Sequence, residues 1–365
     1  MKISTILNHL ESRFPLTWQE EFDNCGVQCG NRQQEITGAL ICFDISESVV
    51  NEAIALEKNL IISHHPLIFG NGLKNIEPNN TVGRIICKAL QNNILIYSMH
   101  TCIDAGTNGG NDLFAEKLNL QEVKLLSPKR LQLQKLSFYV PVDFAAPLKD
   151  ALFALGCGQM GNYECCCYTQ EGIGSFKPKA DAQPFIGEQG REETVPEQRI
   201  ELLFPPALQS SVIKTLYRIH PYEEPAFDIT PIIKEYQNVG LGRIGKLAQP
   251  MEIADFYKFL KEQLELKTFR VSGKINKKIE KVALCGGSGS SFIKTAFAAG
   301  ADIYITGDVR YHDFFIADNQ MIIADIGHFE SEHFIREIIC AELKRKFTNF
   351  ATAISTTEKL EIAFV

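Results

Sequence analysis

The sequence has eleven cysteines in 365 residues but no two in C-x-x-C spacing. Cys25 and Cys29 stand four apart. Cys165, Cys166 and Cys167 are adjacent, so on a strand they would point to alternating faces. An odd count without a paired pattern excludes a disulfide framework in so long a chain. It predicts free, reduced, mostly buried thiols. Long hydrophobic runs are missing as well, and none is sufficient to cross a bilayer. The opening residues lack the apolar core of an export signal. They instead carry Ile3, Ile6, Leu7, Leu10 and Phe14 at helical spacing. A cytoplasmic protein with no membrane partner is expected. Positive charge is scarce: 37 Lys and Arg stand against 44 Asp and Glu, for a net charge of −7. That balance disfavours a non-specific nucleic-acid binder, which rests on a basic face. No repeat of fixed period and no low-complexity tract is present.

What is there is an ordinary globular composition, 45% hydrophobic, in a chain long enough for two or three domains. Residues 1–125 alternate strand and helix, with apolar runs at 38–46, 59–63 and 93–101 and helical periodicity between them. This argues for a largely parallel sheet covered by helices. Residues 126–240 read as β-α-β followed by β-α-β, the split plan of a ferredoxin-like fold. The strands fall at 135–142, 162–176, 199–205 and 225–232, the second running into a glycine-containing turn. The stretch 177–197, rich in charge, Gly, Pro and Gln, reads as a long loop. Residues 241–365 return to the first pattern, with strands at 281–287, 301–309 and 321–328. Helices are expected at 290–300 and 311–319, and a last helix opens with acids and closes with bases, as the helix dipole favours. The first and third segments are therefore expected to form one α/β body, with the second inserted into it.

Histidines fall where a metal site would want them. His64 and His65 follow an apolar strand directly. His100 ends another, with Asp104 four residues on. His328 follows a third, and Glu332 lies one helical turn later, so both side chains can aim at one point. Loops beyond the carboxyl ends of strands in open α/β sheets build the binding crevice. Any one of these histidines alone would be an ordinary polar residue at a strand end; the set together is not. Imidazole and carboxylate donors suit zinc, manganese or iron rather than magnesium. Five ligands, His64, His65, Asp104, His328 and Glu332, exceed one catalytic zinc site. They fit two divalent ions with a bridging carboxylate. His9 and His312 read as surface or packing residues. His333, on another face of its helix, is not counted as a ligand.

Two features stay open on the residues alone. CGGSGSS (285–291) lies between a strand and a helix and completes neither G-x-G-x-x-G nor G-x-S-x-G. It is either a tight turn or an anion cradle. Asp44, Asp308 and Asp325, at strand ends, are either caps or partners that orient the histidines.

At FDNCGVQCG (22–30), IISHHPLIF (61–69), MHTCIDAG (99–106), NGGND (108–112), CGGSGS (285–290), YITGDVRYHD (304–313) and DIGHFESE (325–332), the chain resembles the Nif-three-like family. Its members go by GTP cyclohydrolase I type 2 homolog or dinuclear-metal-centre hexameric protein. Phe22 stands where many members have tryptophan. The middle segment, through QPFIGE (183–188) and HPYEEPAFDI (220–229), resembles the PII-like or CutA-like insert of the longer members. The resemblance implies a homohexameric ring, assembled from dimers or trimers, with the metal sites inside. It implies His64, His65, Asp104, His328 and Glu332 as ligands, and His100 as a further ligand or proton carrier. It also implies metal-dependent hydrolysis of a nucleotide-like small molecule. A metal-loaded scaffold, or a sensor of metal or small molecules, is the alternative expectation.

Overall fold

In the computed structural model the chain is described except at residues 71, 130, 161–162, 237–238, 273–276, 359–361 and 363–365. It divides into two compact units, Met1–Lys129 with Asn238–Val365, and Arg130–Gln237.

The first unit opens with the helix Ile3–Arg13, whose Ile3, Ile6, Leu7 and Leu10 are buried as their spacing requires. Its N-terminal strands are β1 (Gly26–Cys29), β2 (Ala39–Cys42), β3 (Leu60–Ser63), β4 (Leu95–Ser98) and β5 (Gln121–Pro128). In the second unit follow β6 (Leu131–Pro141), β7 (Cys167–Phe176), β8 (Glu193–Phe204) and β9 (Phe227–Tyr236). The first unit resumes with β10 (Gly240–Met251), β11 (Arg270–Val271), β12 (Ile279–Leu284), β13 (Ile303–Thr306), β14 (Ile322–Asp325) and β15 (Thr352–Ile354).

Two sheets build the first unit, ordered β1-β4-β3-β2-β15 and β11-β14-β13-β12-β10-β5. Strands β15, β2, β3 and β4 run parallel, as do β12, β13 and β14. Strands β2, β3, β4, β13 and β14 are buried at every position, which is why they read as continuous apolar runs. One core joins both sheets: Ile41, Ile62 and Leu95 belong to the same buried cluster as Leu284, Ile303 and Ile322. The helical residues Leu7, Phe114, Phe256 and Ile339 complete it. Both sets of parallel strands carry chemistry-bearing residues at their carboxyl ends.

The second unit is an antiparallel sheet ordered β7-β8-β6-β9. Its inner face, with Leu136, Phe138, Ile200 and Leu202, packs on Leu148 and Leu152 of the helix Val142–Ala154 and on Val212 and Leu216 of the helix Gln209–Ile219.

Several local expectations differ from the structure. Gly172 and Gly174 lie within β7 rather than in a turn, and β8 begins at Glu193, inside the stretch read as a loop. The reason is one unbroken ladder from Cys167↔Leu202 to Phe176↔Glu193, whose hydrogen bonds do not depend on side chains. Residues 311–319 form only a 3-10 turn, Tyr311–Phe315. The C-terminal helix is two helices, His328–Glu332 and Ile335–Lys346, interrupted at His333 and Phe334. All eleven cysteines are free, Cys165 and Cys167 exposed. No helix of the described residues is long and apolar enough to cross a membrane.

Candidate metal centre

The ladder of β2 and β3 continues one step past the strands, with the His64 and His65 amides donating to Cys42 O and Phe43 O. This fixes the backbone where the two histidines leave the sheet. His64 is wholly buried, its ring stacked on Phe43 at 5.4 Å. His100 leaves β4, and Asp104 follows in the short helix Thr101–Ala105. From the other sheet, Gly327 turns β14 into the helix of His328 and Glu332 with φ +97°, a conformation open to glycine.

These exits converge. Glu332 Oε2 lies 3.2 Å from His328 Nε2, 3.5 Å from His64 Nε2 and 3.7 Å from His65 Nε2. His64 Nε2 is 3.7 Å from Asp104 Oδ2, and the Nε2 atoms of His65 and His328 are 3.2 Å apart. Three trios each bring one donor atom per residue within 4.8 Å of the others: His64, Asp104 and Glu332; His65, His328 and Glu332; His64, His65 and His100. All six residues singled out in the sequence are thus brought together, and Glu332, His64 and His65 each belong to two trios.

Each histidine presents Nε2 to the cluster because its Nδ1 is held elsewhere. His64 Nδ1 faces Met99 O at 3.0 Å, His65 Nδ1 Asp44 Oδ1 at 2.8 Å, His100 Nδ1 Asp23 Oδ1 at 2.8 Å, and His328 Nδ1 Asp308 Oδ2 at 2.6 Å. An acceptor at Nδ1 keeps the proton there whenever the ring is neutral, so a cation displacing the second proton would meet the Nε2 lone pair, the arrangement of metal-ligating imidazole. Asp308 adopts φ +53°, an uncommon backbone for a non-glycine residue, and so reaches His328. Asp325 does not serve the histidines. Its carboxylate accepts from the Val309 and Gly327 amides and pairs with Arg270, closing the turn that carries His328.

The cluster crowds ionisable groups into one space, and their protonation shifts accordingly. Burial pushes His64 down to about 4, only partly offset by Glu332. Burial also opposes charge on His65 and His328, but Asp44 and Glu332 outweigh it at the first, and Glu332 with Asp308 at the second, lifting them to about 10 and about 9. Burial and the neighbouring Glu332 charge hold Asp104 well above the usual carboxylate range. Glu332, although buried, stays well below it because three histidines face it. Two polar atoms of the cluster, His64 Nε2 and Glu332 Oε2, are fully buried without a hydrogen-bond partner. Such atoms are costly unless something electropositive completes them.

Three supporting features escaped the sequence reading of roles. Asp23 accepts from the Thr101 amide and hydroxyl and from the Cys25 thiol while holding His100. Asn111, 2% exposed, donates to Asp104 O and accepts from the Gly286 amide, tying the Asp104 helix to the glycine loop. Both lie in quoted motifs, FDNCG and NGGND, so the signal was present without its meaning. The third is the glycine loop itself. The Gly286, Gly287 and Gly289 amides donate to Asn111, Ser331 and Thr306, which leaves them unavailable to an anion. Its glycines make room instead: a Cβ at Gly287 would collide with Glu332 Oε1, and one at Gly286 would come within 2.8 Å of Glu332 Cγ. A cavity of about 630 Å³ opens over the cluster, walled by Phe22, Phe69, Leu241 and Phe292.

Comparison with known proteins identifies the family. The chain is 38% identical over 345 residues to a Bacillus subtilis protein named GTP cyclohydrolase 1 type 2 homolog, covering 94% of this chain and 91% of that one. A Halalkalibacterium halodurans protein of the same name is 39% identical, covering 86% and 85%. Among solved structures, a Bacillus cereus protein related to NIF3 superposes with a TM-score of 0.83 at 37% identity, over 100% of this chain and 99% of that one. A Staphylococcus aureus protein superposes with a TM-score of 0.73 at 29% identity and the same coverage. The model of the family Duf34/NIF3 (NGG1p interacting factor 3) matches residues 1–360, and the chain belongs to that family.

Proposed function

We propose that the protein is a dinuclear metal-dependent hydrolase acting on a nucleotide-like substrate. The observation that carries the reading is the buried Glu332 Oε2, without a hydrogen-bond partner among the Nε2 atoms of three histidines and common to two donor trios. His64, Asp104 and Glu332 would hold one ion and His65, His328 and Glu332 the other, so that Glu332 would serve both. The donor set favours two ions over one: the two trios together draw on five residues, and Glu332 is common to both. Imidazole–carboxylate sets of this kind suit zinc, manganese or iron.

Bound ions of this class supply Lewis acidity and lower the pKa of water toward neutrality. The chain's own residues do the rest. His100, the histidine with no place in either ion's trio, is the proton carrier, and Asp23 keeps its Nδ1–H fixed so that Nε2 exchanges the proton. Phe22 and Phe69 present apolar walls to a flat substrate at the mouth of the cavity. The nucleotide assignment draws on the relatives' name, GTP cyclohydrolase 1 type 2 homolog.

The same reading includes a homohexamer in the cytoplasm and a ferredoxin-like, PII- or CutA-like insert at residues 126–240, between body lobes 1–125 and 241–365. The β7-β8-β6-β9 order, with both helices on one face, supports the insert. Mass-spectrometric turnover of GTP and a panel of nucleotides and phosphoesters by manganese-, zinc- or iron-loaded protein tests the activity. Turnover by the wild type and none by Glu332→Gln is expected. No turnover of any substrate by fully loaded protein overturns it in favour of a metal-loaded scaffold or sensor.

A further inference from the structure

The sheet of the second unit has helices on one face only. Its other face carries Tyr139, Arg199 and Gln170 in one cross-strand row, with Glu197 and Gly172 in the next. A cavity of about 580 Å³ lies over this face. The segment 177–186 walls it on one side and the turn 222–226 on the other. Four rings line it: Tyr139, Phe176, Phe185 and Tyr222. Its floor is open because β7 places glycine there. Gly172 has no atom within 4 Å of where its Cβ would stand, and a Cβ at Gly174 would collide with the Glu197 carboxylate.

Glu197 is the chemical centre of this cavity. It is 9% exposed, and among the described residues its side-chain hydrogen bond comes from the Tyr222 hydroxyl, at 2.7 Å on Oε1. Arg199, on the same face, pairs with Glu201 at 2.5 Å. The turn that delivers Tyr222 is itself fixed. Buried His220 accepts from the Tyr222 amide and donates to Tyr139 O, and burial keeps its imidazole neutral. The covering segment is tied down by the Gln183 amide on Glu223 Oε2. Lys177 and Arg199 also line the cavity, but among the described residues neither pairs with this carboxylate, which a bound cation would complete.

We infer that this cavity is a binding site for a small organic cation, a primary ammonium or guanidinium compound, with Glu197 and Tyr222 at the charged end and the aromatic rings around its apolar part. Such a group supplies both the N–H donors and the positive charge that Glu197 is missing. The site lies wholly within residues 139–226 and does not rest on the metal centre.

Isothermal titration of the full chain with agmatine, which carries both cation types, tests the site, with 1-butanol as the uncharged control. Saturable binding of agmatine and none of 1-butanol is expected. Glu197→Gln weakens it about tenfold or more, as loss of a buried charge partner does. Gly172→Val is the second variant. It fills the open floor with a residue suited to a strand and should abolish binding while leaving the thermal midpoint and metal content unchanged. Absence of agmatine binding at millimolar concentration, or equal binding by wild type and the well-folded Gly172→Val protein, overturns the assignment. Neither result alters the metal content or turnover by which the hydrolase reading stands or falls.

Discussion

Glu332→Gln is the most informative single change, because the two-ion reading makes it differ in kind from loss of any other ligand. Glu332 Oε2 stands 3.2–3.7 Å from three imidazole nitrogens and serves both trios. His328 and Asp104 each serve one. Structural zinc sites with four ligands bind with about 10–16 kcal/mol, so one ligand is worth about 3 kcal/mol. That is about two decades of affinity. An amide in place of the Glu332 carboxylate would keep the shape but lose the charge, weakening both ions by about that factor. His328→Ala and Asp104→Asn should each weaken one ion by a similar amount and leave the other near its wild-type affinity. Metal content after dialysis against a buffered free-metal series, measured by plasma mass spectrometry, separates the cases. The expected pattern is two ions in the wild type, one in either single-trio variant and none in Glu332→Gln at a free metal level that just saturates the wild type. Full occupancy of Glu332→Gln with wild-type affinity would refute the bridging role. Loss of both ions in His328→Ala and Asp104→Asn, with near-ultraviolet circular dichroism unchanged, would refute the division into two trios.

Three further outcomes follow from the same geometry. Gly287→Ala places a methyl group against Glu332 Oε1 at a φ of +62°, where an L-residue costs about 1–2 kcal/mol. Metal affinity should fall in this variant, and calorimetric titration giving wild-type affinity would show that the loop does not shape the Glu332 position. Asp23→Asn should lower turnover about 10–100-fold with metal content unchanged, since it frees the His100 imidazole rather than a residue of the two trios proposed to hold the ions. Equal turnover in the loaded variant would remove His100 from the proton path. Away from the site, burial works against charge on Glu52, but donors from Ser355, Thr356 and Thr357 prevail and bring it down to about 2. A carboxylate depressed in the folded state adds stability that is present above its ordinary value of 4.5 and fades as pH falls toward 2. Glu52→Gln should therefore melt below the wild type at pH 7, with the gap narrowing below pH 4.5 and closing as pH approaches 2. A constant gap across that range, in melts followed by circular dichroism, would assign the effect to packing rather than ionisation.

The fold was legible where burial is complete. Strands β2, β3, β4, β13 and β14 have core on both faces, so each reads as an apolar run with a clear end, and the candidate ligands stand at those ends. Strand β7 was half legible, because most of its residues are exposed and its glycines mimic a turn. Strand β5 was not legible: Gln121–Pro128 is mostly exposed polar chain, and its strand state comes from pairing with β10 rather than from its own pattern. The break at His333 and Phe334 was hidden for the opposite reason. The helical periodicity runs on through it, while the first turn is held by the demands of His328 and Glu332.

The histidines' partners were harder to see than the histidines, and the sheet order explains why. A residue leaving the carboxyl end of a parallel strand lies beside the residue leaving the neighbouring strand. Strands β2 and β3 are neighbours, so Asp44 meets His65. Strands β13 and β14 are neighbours, so Asp308 meets His328. Where the neighbour is antiparallel the rule reverses, and the residue entering it is the one that meets the exit. Strand β1 pairs β4 with Gly26 opposite Ser98, so Asp23, just before β1, meets His100, just after β4. Asp325 fails for the same reason that the others succeed. It leaves the same strand as His328, and a carboxylate on a ligand's own strand lies in line with it rather than beside it, where it closes the backbone turn. An aspartate at a strand end is thus a cap or an orienting partner according to which strand lies next to it, and that is a property of the sheet, not of the local sequence.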